Sequence, residues 1–545
     1  MSAYTRRTGC PVDEATEMVG RRVSRRRFLQ GAGAAATVAA FAGVPASPST
    51  AAARPRDGRA RDRRSGERGT GRVVVVGAGI AGLGCAYRLW QRHGIRAEVY
   101  EYDTVPGGRI RTLRGYFGDG QLVEEHAEFV NPEHTATLAL ALSFGLTLDN
   151  SDKYPPGTHG RQETMRFGGQ AWPQAALDKD WHEWGWALFH DAAFTKAPWP
   201  TLHNVSTQWG RRFDQMSVVE WIDAYVPGGM ASDFASVCVA AVLDEYGGPA
   251  AEQSALNLVY LLGQDNSRGS GVQPRAQPVL GGADEKWHIH GGNDQLISGL
   301  VQGLPAGAVH LDRQLVALRS EGTGSVRCTF QSGAGTSDVV ADEVVLALPF
   351  TTLRRVDLSG VTISPLHRRA IQEEPLGTNS KMFLQFASRV WNAEHRSGNV
   401  FCSGVVQGGW DPTIYQAGPA GILAALPGGA SGGDWGARYG LTSYAGPPPD
   451  AMVRDFLDGW DQLFPGVKEA YNGRAYYVWS PGDPHILGAY SYLKVGQYTA
   501  FNGVQGRPEQ NLHFAGEQTS VNYQGYIEGA LRSGYRCAGE VAGRA

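Results

Sequence analysis

Cysteine is scarce in this 545-residue chain. The six that occur, at positions 10, 85, 238, 328, 402 and 537, form no C-x-x-C pair and fall at no metal-ligand spacing. That excludes a dense disulfide framework and a cysteine-built metal site, and leaves most of them as small buried apolar side chains; no metal is expected. Positive charge is not in excess either, with 50 Lys and Arg against 53 Asp and Glu and a formal net charge of −3. A nucleic-acid partner, which needs a basic footprint, is excluded on that ground. No stretch reaches the about 18 or more strongly apolar residues that a membrane-spanning helix needs, so stable membrane insertion is not expected. What is abundant is glycine, 73 residues of it, in a chain too long for one ordinary core. A loop-rich α/β protein of two or more domains follows.

The N-terminus reads as an address. Residues 24–30, Ser-Arg-Arg-Arg-Phe-Leu-Gln, match the twin-arginine export pattern, and residues 31–44 follow as a weakly apolar run rich in Gly and Ala. Ala51, Ala52 and Ala53 offer a small-residue cleavage site, so residues 1–53 are expected to leave and the folded chain to be exported to the cell envelope or beyond. Residues 54–71 are charged, contain Gly and lack large apolar side chains, the composition of a disordered linker.

The organising stretch is residues 72–101. Four valines at 73–76 meet a G-x-G-x-x-G spacing at Gly77, Gly79 and Gly82, followed by a helical pattern and a second strand that ends in Glu101. Gly77 allows the tight turn, Gly79 lets backbone approach a pyrophosphate, and Gly82 lets helix and strand pack closely. The N–H groups around Ile80 and Ala81 then face the phosphate charge. Glu101, nineteen residues past Gly82, is placed to accept hydrogen bonds from a ribose. On these residues alone the dinucleotide is either NAD or FAD.

After the strand come Pro106, Gly107, Gly108 and Arg109. Two adjacent glycines let backbone pass close to a cofactor, and the arginine suits a phosphate or a flavin carbonyl. With this spacing the chain resembles the flavin-containing amine oxidase family, which includes monoamine, polyamine and L-amino acid oxidases. The resemblance implies FAD and a Rossmann-like, discontinuous FAD-binding domain, residues 72–150, 282–375 and 485–545. An inserted α+β substrate-binding domain would take residues 151–281 and 376–484. The resemblance extends to the C-terminus, where Ala515, Gly516 and Glu517, then Gly525, Tyr526 and Ile527 at the start of a helix, match the family's flavin-proximal block. That helix N-terminus would stabilise negative charge on a reduced ring.

The same resemblance assigns the chemistry. Lys381, in a strand-like alternation over residues 377–386, stands where the family has a lysine that holds a water at the flavin. Burial there would lower its pKa. Tyr490 and Tyr526 match two aromatic positions that flank the amine. Ala489 occupies the position of the cysteine that carries the flavin in monoamine oxidases, so noncovalent FAD is expected. Backbone near Val316 is expected at the adenine, and residues 309–318 and 339–349 read as buried strands.

His126 departs from the family, which usually has glycine there; it is either a packed imidazole or a histidine beside the flavin. Amino acid oxidases of the family place a carboxylate-binding arginine near the position of Phe129. Here the residues are Glu128 and Phe129, which shifts weight toward amines without a carboxylate, with Arg211, Arg212 and Arg389 as the candidates to supply the contact from elsewhere. Asp244 and Glu245, after a helical stretch at 234–243, read first as a solvated pair and second as partners for a cationic substrate. Ser217 and Glu220 form a capping box before another helix. The expected activity is oxidation of a C–N bond of an amine or amino acid by dioxygen, giving hydrogen peroxide and an imine that hydrolyses. The alternatives are an L-amino acid oxidase or amino acid monooxygenase and, more remotely, a non-catalytic flavin-binding protein. The oligomeric state is open between monomer and homodimer.

Overall fold

The computed structural model describes residues 71–151, 162–263, 285–322 and 324–544. Residues 1–53, expected to be an export signal, and nearly all of residues 54–71, expected to be a linker, lie outside the described residues.

Strand β1 (Val73–Val76) is fully buried and pairs in parallel with β2 (Ala97–Tyr100) on one side and with the strand Glu343–Leu346 on the other. Leu512–Phe514 and Val309–His310 complete a five-stranded, all-parallel sheet. A parallel sheet must be covered on both faces, and its valine-rich strands carry the continuous apolar run that such burial requires. Helix α1 (Ile80–His93) covers one face together with the C-terminal helix Ile527–Ala542. Their approach is close because Gly534 has no side chain: a Cβ there would lie 2.1 Å from the Ala81 carbonyl oxygen.

A four-stranded sheet, Gly335–Ala341, Val326–Ser332, Gln314–Ser320 and Asp357–Gly360 in spatial order, stands beside the first. It corrects the reading of 339–349 as buried strand. The segment breaks at Asp342, the part before it belongs to a largely exposed edge strand, and only Glu343–Leu346 enters the buried parallel sheet. Edge strands are tolerated when polar, and Thr336, Ser337 and Asp338 supply that polarity.

The third layer is an eight-stranded mixed sheet in which Lys381–Phe386 is central, paired antiparallel with Gly421–Ala425 and Tyr471–Val478. Every residue of Lys381–Phe386 is buried. The helices Val218–Tyr225, Asp233–Tyr246 and Ala255–Gly263 lie in the segment before it, the first opened by the capping box of Ser217 and Glu220. All five cysteines in the described residues are free and buried. No helix among the described residues is long and apolar enough to cross a membrane.

Candidate active site

One cleft runs from the first βαβ unit to the mixed sheet, and nearly all the residues singled out in the sequence line it. At its nucleotide end the walls are backbone. Gly77 has φ +104, and a Cβ there would meet the Ala347 carbonyl oxygen at 2.5 Å; a Cβ on Gly82 would meet the Gly77 carbonyl oxygen at 2.0 Å. Both positions therefore demand glycine. Gly79 differs: a Cβ would find only the Gly107 carbonyl oxygen, at 4.0 Å, so the missing side chain leaves open space in front of the helix. Helix α1 has no side-chain cap and no acid in its first turn, so its N–H groups are left for an anion. Glu101 is tied to the same turn, accepting from Ala78 N at 2.6 Å and from Asp103 N at 2.9 Å. These features fit a dinucleotide pyrophosphate and ribose.

Val316 does not line the cleft. Arg313, Gln314 and Leu315 do. The register of the Gln314–Ser320 strand shifts between Leu315 and Ala317, and the bulge between them displaces Val316 from the alternation that the sequence suggests.

In the middle of the cleft Glu517 joins three distant segments. Its carboxylate accepts from Arg109 (2.8 Å), from the Ser491 hydroxyl (2.6 Å) and backbone N (3.1 Å), and from Gly525 N (2.8 Å). Arg109 also donates to the Ala489 carbonyl at 2.7 Å. Gly107, Gly108, Gly516, Gly525 and Ile527 line this part, as does Ala489, which offers no thiol. His126 lines it too; burial, only partly offset by the Asp483 charge, holds its imidazole well below the usual range and so neutral. Its Nε2 is buried without a hydrogen-bond partner among the described residues.

The far end is built of side chains. Lys381 is 5 % exposed, and its ammonium donates to Glu128 Oε2 at 2.8 Å and to the carbonyls of His126 (2.8 Å) and Glu124 (3.0 Å). An ammonium has three donors, and all three are engaged. This corrects the picture of a lysine poised to hold a water: it bolts the central strand of the mixed sheet to the 124–128 segment. Glu128 is likewise occupied, since its other oxygen accepts from Trp410 Nε1 at 2.9 Å. Phe129 packs against the Trp410 ring with centroids 5.9 Å apart.

Tyr490 donates to the Asp244 carbonyl at 2.7 Å, and Tyr526 to Glu245 Oε1 at 2.6 Å. Both tyrosines and both acids line the cleft, which overturns the solvated reading of Asp244 and Glu245. Asn379 explains the difference, its amide donating to the carbonyls of Leu243 and Asp244 and so folding the helix end over the cavity. Burial pushes the Asp244 carboxyl up to about 7, with Glu245 adding to the effect. Glu245 rises to about 7 by burial, against the hydrogen bond from Tyr526.

Glu285 and Trp410 complete this end, and sequence reasoning passed over both. Glu285 follows a Gly-Gly-Ala-Asp run that reads as surface, and Trp410 follows two glycines without a motif. Burial, then the charges of Asp244, Glu245, Glu128 and Glu163, push the Glu285 carboxyl up to about 8. Arg211, Arg212 and Arg389 are absent from the lining: Arg211 binds Ser206, Arg212 lies 5.0 Å over the Trp209 ring, and Arg389 pairs with Asp411.

A family model described as flavin containing amine oxidoreductase matches residues 80–542. Among curated proteins, an L-amino acid dehydrogenase of Synechocystis sp. is 23% identical over 494 residues, covering 86% of this chain and 94% of the other. Amine oxidase [flavin-containing] B of Cavia porcellus is 25% identical over 487 residues, covering 86% and 85%. Among solved structures, putrescine oxidase bound to putrescine superposes with a TM-score of 0.71 at 19% identity, covering 87% of this chain and 99% of that one. Cyclohexylamine oxidase from Brevibacterium oxydans gives 0.70 at 18%, with the same coverage. These structural likenesses carry the fold.

Proposed function

The chain belongs to the flavin-containing amine oxidoreductase family and is an FAD-dependent oxidoreductase acting on amines, and from that premise we propose that it oxidises a C–N bond of an amine lacking an α-carboxylate, with dioxygen as acceptor. FAD, when bound, supplies the two-electron acceptor that takes hydride from the α-carbon and passes both electrons on to dioxygen as hydrogen peroxide. The protein contributes position and electrostatics. Gly77, Gly79, Gly82 and Glu101 would hold the adenosine and pyrophosphate, and Arg109, Gly516 and Gly525 the middle of the cofactor.

The observation that carries the reading is the tyrosine pair. Each ring is fixed by its hydroxyl to the acid-bearing end of one helix, so the two π-faces are set before substrate arrives. An amine entering between them is guided by the ring quadrupoles and screened from bulk water. The imine released then hydrolyses to an aldehyde and ammonia. An L-amino acid would need a bidentate cation for its carboxylate. Among the described residues that line the cleft, Lys381 is engaged with Glu128 and Arg109 with Glu517.

Peroxide release across a panel of monoamines, diamines and L-amino acids tests the proposal. Amines bleach the flavin band anaerobically and release one peroxide per turnover in air, whereas L-amino acids do neither. Turnover confined to L-amino acids would overturn it. Acid precipitation of the holoenzyme releases the flavin into solution, as expected with alanine at position 489.

A further inference from the structure

We propose that His126, Asp483 and His485 form a path by which a proton passes from the middle of the cleft to solvent. The path rests on the amine-oxidation reading above, in which a substrate ammonium must shed a proton before its α-carbon can give up hydride.

It starts where cofactor and substrate must meet. Gly77, Gly79 and Glu101 mark the nucleotide end, Tyr490 and Tyr526 mark the amine, and His126 lines the cleft between them. Arg109 ties the two walls together: its carbonyl accepts from Ala127 N at 3.1 Å, and its guanidinium donates to the Ala489 carbonyl at 2.7 Å.

Two unpaired atoms mark the next step. Among the described residues His126 Nε2 and Asp483 Oδ2 are both buried without a hydrogen-bond partner, and the Asp483 carboxylate is the largest charge acting on His126. Buried polar atoms are rarely left so. One water between the two, or a turn of the imidazole, satisfies both and carries a proton across. The other Asp483 oxygen accepts from His485 backbone N at 2.8 Å and lies 2.9 Å from His485 Nδ1. His485 stands at the rim. Its side chain is 21 % exposed, and its ring packs 4.5 Å from that of Tyr102, which is itself 36 % exposed.

The order of basicity points outward. Burial holds His126 down to about 3, with the Asp483 charge opposing and the charges of Arg111, Lys381 and Arg109 reinforcing. The bond to Asp483 holds His485 above its ordinary value. A proton taken by His126 therefore moves on to a stronger base at the rim. The cations beside His126 are already spoken for, Arg109 by Glu517, Arg111 by Asp103 and Lys381 by Glu128. In the first half of the reaction the ammonium N–H proton enters this path, the α-C–H leaves as hydride with both electrons, and C=N forms. One proton returns by the same path and, with the hydrogen delivered as hydride, completes hydrogen peroxide as dioxygen takes the two electrons.

The test uses the FAD-loaded enzyme, reduced by light and a sacrificial donor with no amine present. It is then mixed with ferricyanide in weak buffer containing a pH-indicator dye. Ferricyanide takes electrons and no proton, so the proton left on the cofactor must reach solvent; the flavin band and the dye report the two events separately. In the wild type they coincide. In His126→Ala and in His485→Ala both are expected to slow by about 100-fold, the low end of what a positioned proton-transfer group contributes. Free imidazole restores the flavin rate in His126→Ala by filling the space left. His485→Ala, at the partly exposed end, serves if His126→Ala loads flavin poorly. Wild-type rates in His485→Ala, or slowing in His126→Ala that imidazole does not relieve, would overturn the path. Slowed and rescued proton release in an enzyme that no amine reduces would fault the amine reading and leave the path standing.

Discussion

The two ends of the cleft are made of different material. At the nucleotide end the contacts are carbonyls, N–H groups and the absence of side chains, held within about thirty residues of contiguous chain. At the substrate end they are carboxyls, hydroxyls and rings brought from segments hundreds of residues apart, such as Asp244 and Tyr490. A backbone site tolerates almost no side chain but cares little about charge; a side-chain site is tuned by charge and can be retuned one residue at a time. Substitutions at the first end should therefore act all-or-none on cofactor loading, and substitutions at the second should act in degrees.

The largest effect is expected at the glycines, where two of them separate fold from loading. Gly79→Ala places a methyl group in open space within the protein, so the apoprotein keeps its stability, but that space is where the pyrophosphate must come. Flavin occupancy should fall about tenfold or more, equivalent to ~1.4 kcal/mol of binding or greater. Gly82→Ala drives its methyl into the Gly77 carbonyl, so it should lose flavin and destabilise the apoprotein by about 1–3 kcal/mol as well. Flavin-to-protein ratios and denaturant unfolding of both apoproteins check this. Equal stability losses in the two would erase the distinction between a packing glycine and a cofactor glycine.

Next comes the bolt at the other end. Lys381→Met leaves Glu128 buried and uncompensated, 4 % exposed at its side chain, and should cost about 3–5 kcal/mol. Lys381→Met/Glu128→Leu should recover most of that loss, because removing both charges of a buried pair is often neutral. Denaturant unfolding of the two variants reads the comparison directly. FAD stays bound in Lys381→Met while flavin reduction slows, since the 124–128 segment beside the cleft loses its anchor. A variant of wild-type stability would show that the ion pair is not what fastens the two walls together.

How much of this was legible in the chain follows the same division. Gly77, Gly79, Gly82 and Glu101 are found by spacing because the turn they form is local, and a local turn is written in consecutive residues. Lys381, Tyr490 and Tyr526 were reached only through resemblance; nothing in the alternation around Lys381 distinguishes a bolt from a solvated lysine. Asp244 and Glu245 read first as solvated because acids at a helix end are ordinarily wet, and what holds that helix end over the cleft is Asn379, 135 residues away. Leu315 lines the cleft and its neighbour Val316 does not, a distinction set by a bulge that has no signal in an apolar strand. Glu285 and Trp410 sit in runs of small residues, where periodicity carries no information.

The smallest effect, and the one that bears most closely on the contrast, is in pH. Asp244, Glu245 and Glu285 have carboxyls raised to about 7, 7 and 8, above their unfolded values. Between about pH 4 and 8 the native state thus binds more protons than the unfolded chain, so these groups make stability fall as pH rises through that window. The groups that face them are Glu128, paired with Lys381, together with Glu163 and the hydroxyls of Tyr246, Tyr490 and Tyr526. Burial raises other acids too, among them Glu101 and Glu374, so only the difference between proteins is diagnostic. In Asp244→Asn/Glu245→Gln/Glu285→Gln the fall in Tm from about pH 5 to 8 should be smaller, by about 2–4 °C for each ~1 kcal/mol of that linkage removed. The Gly79→Ala apoprotein should keep the wild-type slope, because its substitution touches no titrating group. If the two variants flatten alike, the proton linkage belongs to the whole fold and not to the substrate end.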